Sequence, residues 1–216
     1  MFKADLHIHT HYSMDCSTKL EEIIRACERK NINCIAIADH GAVEGAFKLK
    51  ELAPFYVIVA EEILTTRGEI MGMFLKERIP SGLSIEESIR RIKDQGALLC
   101  AQHPFDRIRP DSLKAEVMDE IADQIDLVEV FNARSLFPGI QSRAQKLAEK
   151  FNKVISAGSD AHIVAEVGNY FVEMKEFTGK KEFLESLSTG KIQGHKSNPF
   201  VHITSKHNKF LKKLTR

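Results

Sequence analysis

Strand-like and helix-like segments alternate along most of this 216-residue chain, and many of the strand-like segments end on or beside a histidine or an acid. Lys3–Ile8, Asn33–Asp39, Phe55–Glu62, Glu69–Leu75, Ala97–Ala101, Leu127–Phe131, Val154–Gly158 and Tyr170–Glu173 have the length and apolar content of strands. Between them, Leu20, Ile23, Ile24 and Cys27 repeat at helical spacing. So do Ile85, Ile89 and Ile92, then Val117, Ile121 and Ile125, then Ile140, Ala144, Leu147 and Phe151. Val43–Leu52 and Lys180–Thr189 complete the helical set, and Thr18 with Glu21 and Ser84 with Glu87 read as capping boxes. This alternation predicts an α/β fold in which helices cover a parallel sheet. Without internal repeats or long linkers, it predicts a single domain. Periodicity leaves open whether that sheet is open or closed. In both cases the C-terminal strand ends carry the active site, which makes the polar ends candidates for one shared site.

Those ends have a consistent chemistry. His7-Ile8-His9 puts two imidazoles on one face of a strand, about 6–7 Å apart at Cα, a spacing that suits two ligands of one ion. Asp39-His40, Glu61-Glu62, His103 and Asp160-Ala-His162 close four later segments. Each has an ordinary reading, since Asp39 and Asp160 can cap helices and His103-Pro104 can form a turn. Five such endings together point instead to imidazole and carboxylate ligands for Zn, Mn or Fe.

The motifs, in order, are Asp5-Leu-His-Ile-His-Thr, Ala38-Asp39-His40, Ala60-Glu-Glu62-Ile, Gln102-His103-Pro104 and Ser159-Asp-Ala-His162. Together they resemble the PHP (polymerase and histidinol phosphatase) superfamily over roughly residues 3–175. The resemblance implies a distorted (β/α)7 TIM-like barrel, two or three divalent metal ions at the strand ends, and hydrolysis of phosphomonoesters or phosphodiesters. It assigns His7, His9, Glu62 and Asp160 to one ion, and Glu62 as a bridge with His103 to a second. Asp15, His40 and His162 would hold a third. Glu62 is chosen over Glu61 on the family's Gly-x-Glu pattern, because alternation puts the two glutamates on opposite faces without saying which is inward. Met71 stands where the family often has a histidine, and a thioether is a poor ligand for a hard ion, so the second site is expected to be short of a ligand.

The chemistry expected of such a site is attack on phosphorus by water activated among clustered cations. Asp39 and His103 are the candidate catalytic residues, and Asp5 and Asp39 are candidates for orienting the ligands. Arg107, Arg109, Arg134 and Asn132 are candidates for substrate contact, because guanidinium forks match phosphate oxygens.

Composition bounds the partners. The longest apolar run has six residues, Phe55 to Ala60, far short of the roughly 20 a bilayer span needs. Asp5, His7 and His9 fall where the apolar part of a cleavable signal would lie, so a cytoplasmic location is expected. Cys16, Cys27, Cys34 and Cys100 form no C-x-x-C pair and read as thiols without a disulfide framework. Residues 190–216 hold seven Lys or Arg and no acid, against 24 basic and 30 acidic side chains before them. The domain reading is therefore a catalytic barrel over 1–189 and a basic tail over 190–216 that can pack on it. The expected substrate is a small phosphorylated metabolite or nucleotide, with no membrane or obligate protein partner. The alternatives are an oligonucleotide phosphodiesterase using the tail, a non-catalytic metal-stabilised nucleic-acid-binding module, and an amidohydrolase-like barrel that cleaves C–N bonds.

Overall fold

The computed structural model describes residues 1–106, 109, 111–137, 139–201 and 212. The elements run β1 (Phe2–Ile8), α1 (Leu20–Lys30), β2 (Cys34–His40), α2 (Glu44–Leu52), β3 (Tyr56–Thr65), β4 (Gly68–Met73), α3 (Ile85–Asp94) and β5 (Leu98–Ala101). They continue with α4 (Ala115–Ile121), β6 (Leu127–Asn132), α5 (Ile140–Lys150), β7 (Val154–Gly158), β8 (Tyr170–Met174), α6 (Lys180–Ser188) and β9 (Lys191–Gly194). The strands form one sheet in the order β7-β6-β5-β4-β3-β2-β1-β8-β9.

The sheet is mixed rather than parallel throughout. β1, β2 and β3 run parallel, as do β5, β6 and β7. β4 is antiparallel to both of its neighbours. The cause is the connection after β3, where Thr66 and Arg67 alone separate the strands, too few residues for a parallel crossover. Gly68 completes this turn at φ +124°, a backbone that glycine alone adopts without strain. The inversion brings the start of β4, rather than its end, to the polar rim.

β1 then closes the structure. Its first residues pair with β8 (Phe2 with Met174, Ala4 with Val172). Its far end leaves β8 and meets the extension of β7. There Asp160 N–H donates to the His7 carbonyl at 2.7 Å, and His9 N–H donates to the Ala161 carbonyl at 3.0 Å. The result is a distorted, nearly closed TIM-like barrel of seven strands with β8 and β9 appended. β9 lies inside the stretch read from sequence as tail; four residues, Lys-Ile-Gln-Gly, are too few for alternation to register.

Side-chain size follows the two faces. Ile35, Ile37, Val57 and Val59 pack with Leu20, Ile23, Leu49, Ile89 and Ile92 of the covering helices. The opposite face of the sheet contributes Ala4, Cys34, Ala36, Ala38, Ala60, Cys100 and Ala157, from β1, β2, β3, β5 and β7, small enough to fill a narrow interior. Phe177 and Phe183 join this inner cluster, their ring centroids 5.1 Å apart and edge-on. No helix among the described residues is long and apolar enough to cross a membrane.

Ser84 caps α3 as expected, its hydroxyl accepting from Glu87 N–H at 3.2 Å. Thr18 does not cap α1. Lys19 takes that position, its N–H going to Glu22 at 2.8 Å, and the Thr18 hydroxyl donates to the His162 carbonyl at 3.2 Å. The threonine is thereby spent on a loop of the polar rim.

Candidate metal centre

The rim gathers all eight residues expected as metal ligands. β1 delivers His7, and His9 just beyond it; β2 ends on His40, and Glu62 lies on β3 opposite it in register. His103 follows β5, Asp160 and His162 follow β7, and Asp15 comes from the loop between β1 and α1. Four overlapping groups have donor atoms within 4.8 Å of one another: His7, His9 and Asp160; His7, Glu62 and His103; His9, Asp15, His40 and His162; and His40, Glu62 and Glu69.

Glu62 is the hub. Its Oε1 lies 2.8 Å from His103 Nε2 and 3.3 Å from His7 Nε2. Its Oε2 lies 3.2 Å from His40 Nδ1 and 3.4 Å from His9 Nε2. Glu61, on the outer face, accepts from Ile79 N–H at 2.9 Å instead. Alternation therefore resolves with Glu62 inward.

These contacts have the separations of ligands around shared ions. Atoms about 2.0–2.2 Å from one ion in tetrahedral geometry stand roughly 3.3 Å apart. His7 Nε2 and His9 Nε2 are 3.1 Å apart, and Asp160 Oδ1 is 3.3 Å from His9 Nε2. His162 Nε2 is 3.1 Å from Asp15 Oδ2. Glu62 Oε2 and Asp160 Oδ1 are fully buried yet accept no hydrogen bond. Buried carboxylate oxygens without donors are costly unless a cation satisfies them, so the residues present fit divalent ions.

The imidazoles are aimed from behind. His7 Nδ1 donates to Glu129 Oε1 at 3.0 Å, His162 Nδ1 to the Asp160 carbonyl at 2.8 Å, and His40 Nδ1 to Glu69 Oε1 at 2.8 Å. In each case the proton is fixed on Nδ1, and Nε2 is left to face the cluster. Glu129 does more, since its Oε2 accepts from His103 N–H at 2.8 Å and from Asn132 Nδ2 at 2.9 Å. Sequence reasoning missed both Glu129 and Glu69. The signal for Glu129 was there: one acid inside the apolar strand Leu-Val-Glu-Val-Phe. Glu129→Gln is expected to keep the fold and to weaken metal binding or activity by about 10–100-fold, the usual cost of losing a ligand-orienting partner. Isothermal titration with Mn²⁺ measures it; an unchanged affinity excludes this role.

Charge balance follows burial. Burial opposes a charged His7 ring, but the carboxylates of Glu129, Glu62 and Asp160 outweigh it and raise its pKa well above the usual value. Burial and the neighbouring His162 lower His9 to about 3. Burial also resists ionisation of Asp160, yet Arg109 and His7 hold its carboxyl well below the ordinary range. Two rim residues adopt left-handed backbone, His103 at φ 29° and Asp160 at φ 54°, which costs of order 1–3 kcal/mol each. The hydrogen bonds from their N–H groups to Glu129 and to the His7 carbonyl hold them there.

The other candidates have specific places. Among the described residues Asp39 pairs with no imidazole nitrogen; both of its oxygens accept at 2.6 Å from Thr10, one from N–H and one from the hydroxyl, which fixes the residue after His9. Asp5 likewise accepts from the backbone of Ser159 and Gly168, both at 2.8 Å, and burial raises it to about 6. Asn132 Nδ2 reaches Asp160 Oδ2 at 3.1 Å. Arg109 pairs with Asp160 and lies 3.5 Å from Asp106, inside the site. Arg134 is buried with Nε 3.6 Å from Glu166, whose other oxygen accepts from His162 N–H, so it braces a ligand loop. Arg107 lies outside the described residues. The Cys16 thiol is buried and raised to about 12, a bystander beside the His9 and His162 carbonyls.

Comparison with known proteins places this geometry. The family described as PHP domain matches residues 5–102, and the one described as PHP-associated matches residues 141–192. The chain belongs to the PHP superfamily. An uncharacterised protein of Methanocaldococcus jannaschii is 38% identical over 211 residues, 91% of this chain and 84% of that protein. Among solved structures, a two-domain protein from Bacteroides vulgatus, containing a predicted PHP-like metal-dependent phosphoesterase, has a TM-score of 0.74 at 20% identity. That match covers 90% of this chain and 65% of the two-domain one, just under two thirds of its length. An amidohydrolase from Chromobacterium violaceum, with sulfate bound and no metal, has a TM-score of 0.59 at 13% identity over 94% of this chain and 96% of its own. At these identities both structures speak for the fold alone.

Proposed function

We propose that this chain is a metal-dependent phosphoesterase acting on a small phosphorylated metabolite or nucleotide in the cytoplasm. The observation that carries the reading is Glu62, one carboxylate within 2.8–3.4 Å of four histidines. His7, His9, Glu62 and Asp160 would hold one ion, Glu62 as a bridge with His103 a second, and Asp15, His40 and His162 a third. Zn, Mn or Fe suits such imidazole and carboxylate sets. When bound, such ions neutralise phosphoryl oxygens and lower the pKa of a coordinated water.

The protein's own groups do the rest. Glu129 and Glu69 hold protons on the Nδ1 atoms of His7 and His40 and keep those rings from turning. Arg109, paired with Asp160 at the rim, is the guanidinium placed to receive a phosphate oxygen. A charged hydrogen bond contributes about 1.5–3 kcal/mol, so Arg109→Ala is expected to raise KM roughly 10–150-fold with the metal content unchanged. Steady-state kinetics beside elemental analysis measure both.

The basic segment bears on the oligonucleotide alternative. The Lys212 ammonium donates to three backbone carbonyls of the loop between β1 and α1, so this one charge of the segment is directed at the protein itself and not at a strand. The test is a chromogenic phosphate ester with Mn²⁺ or Zn²⁺, followed by phosphorylated metabolites, nucleotides, short oligonucleotides and an amide panel. Turnover that survives Asp160→Ala sinks the proposal. Salt-sensitive oligonucleotide binding without hydrolysis selects the non-catalytic module.

A further inference from the structure

Three backbone carbonyls of the loop between β1 and α1 converge on one point. The oxygens of His11, Ser13 and Cys16 accept from Lys212 Nζ at 2.6, 2.7 and 2.7 Å. An ammonium has three N–H donors and no acceptor, so this nest matches it donor for acceptor. Three carbonyl dipoles aimed at one point repel unless a cation sits there, and the loop's path is therefore coupled to that charge. This is the loop that carries Asp15. Ser13, whose carbonyl Lys212 holds, donates its hydroxyl to Asp15 Oδ1 at 2.9 Å. The same hydroxyl accepts from His40 N–H at 3.4 Å. Asp15 Oδ2 in turn faces His162 Nε2 at 3.1 Å and His40 Nε2 at 3.5 Å.

We propose that Lys212 is a positioning residue for the Asp15, His40 and His162 corner, and that this corner binds its ion at full strength only when Lys212 is seated in the loop. The proposal rests on the metal-centre reading above and adds a dependence within it. The corner formed by His7, Glu62 and His103 draws on β1, β3 and the end of β5, and not on the loop whose carbonyls Lys212 holds. Loss of the lysine should therefore separate one ion from the rest.

The experiment uses the full chain, wild type and Lys212→Ala, titrated with Co²⁺ alone and followed by its visible absorption, with elemental analysis of the dialysed protein. Wild type is expected to take up two or three ions. Lys212→Ala is expected to lose about one ion per chain, or to bind it about 10–100-fold more weakly, with the others unchanged. Added methylammonium, which refills the nest, is expected to restore part of the loss, an effect that a mere packing defect does not give. An unchanged Co²⁺ isotherm in Lys212→Ala overturns the proposal, as does a loss that methylammonium leaves untouched. If Lys212→Ala melts too early to be titrated, Ser13→Ala cuts the same link with the ammonium in place, and an unchanged isotherm there overturns it equally. A wild-type chain that binds no Co²⁺ sinks the metal-centre reading itself, a result distinct from any of these.

Discussion

Glu62→Gln is expected to leave a folded chain with a dismantled metal centre. Glutamine preserves the shape of the side chain and removes its charge. It also replaces one oxygen with an amide nitrogen that has no lone pair to give a cation, at a point where imidazole nitrogens lie 2.8–3.4 Å from the carboxylate. No rotation helps, because His7 and His103 crowd one oxygen while His9 and His40 crowd the other. The loss should exceed the roughly 10–100-fold cost of removing an orienting partner, since here the shared anion itself is removed. At least one ion per chain should disappear by elemental analysis, and turnover of a chromogenic ester should fall by more than about 100-fold. Glu61→Gln, one residue away on the outer face, is the matched control and should keep its ions, since its only described hydrogen bond is from Ile79 N–H. Equal metal content in the two variants would falsify the hub role of Glu62.

The contrast between these two glutamates marks how far the residues alone reach. Alternation puts Glu61 and Glu62 on opposite faces but cannot choose between them; the choice depends on which face closes into the barrel. Met71 teaches a related lesson. Its position was read from sequence as a missing ligand, and it is indeed a buried apolar residue, opposite Glu62 in register. Two residues earlier, Glu69 reaches His40 from the same strand. An all-parallel reading puts the start of β4 at the far end of the barrel, so Glu69 was invisible as a rim residue until the two-residue turn inverted the strand. Local signals such as His7-x-His9 and the helix cap at Ser84 were legible because their physics is local. The arginines show the opposite case: Arg109 and Arg134 look alike in sequence, but one reaches Asp160 at the rim and the other is buried against Glu166. That difference depends on contacts between distant segments, which spacing does not encode.

Gly158→Ala tests the place where fold and site depend on one atom. Gly158 ends β7, paired with Asn132 of β6. A methyl group there would stand 2.4 Å from His7 Cβ, 2.8 Å from His7 N and 3.0 Å from Glu129 Oε1. The first two atoms belong to β1 itself, so no rotamer change can relieve the clash; β1 and β7 have to move apart. That seam is held by the hydrogen bonds from Asp160 N–H to the His7 carbonyl and from His9 N–H to the Ala161 carbonyl. Overpacking of this kind costs about 1–3 kcal/mol. At roughly 2–4 °C per kcal/mol for a chain of this length, Tm is expected to fall by about 2–12 °C. The functional loss should be out of proportion to that change. A shift of about 1 Å in a positioned group can cost 100-fold, and here His7, Glu129 and Asp160 are all displaced together. The two effects separate at a temperature well below both melting points, where the variant is fully folded. There, Gly158→Ala should still show weakened Mn²⁺ binding and turnover reduced by about 100-fold. A variant with a lowered Tm but wild-type metal affinity at that temperature would mean that the seam supports the barrel without setting the position of His7.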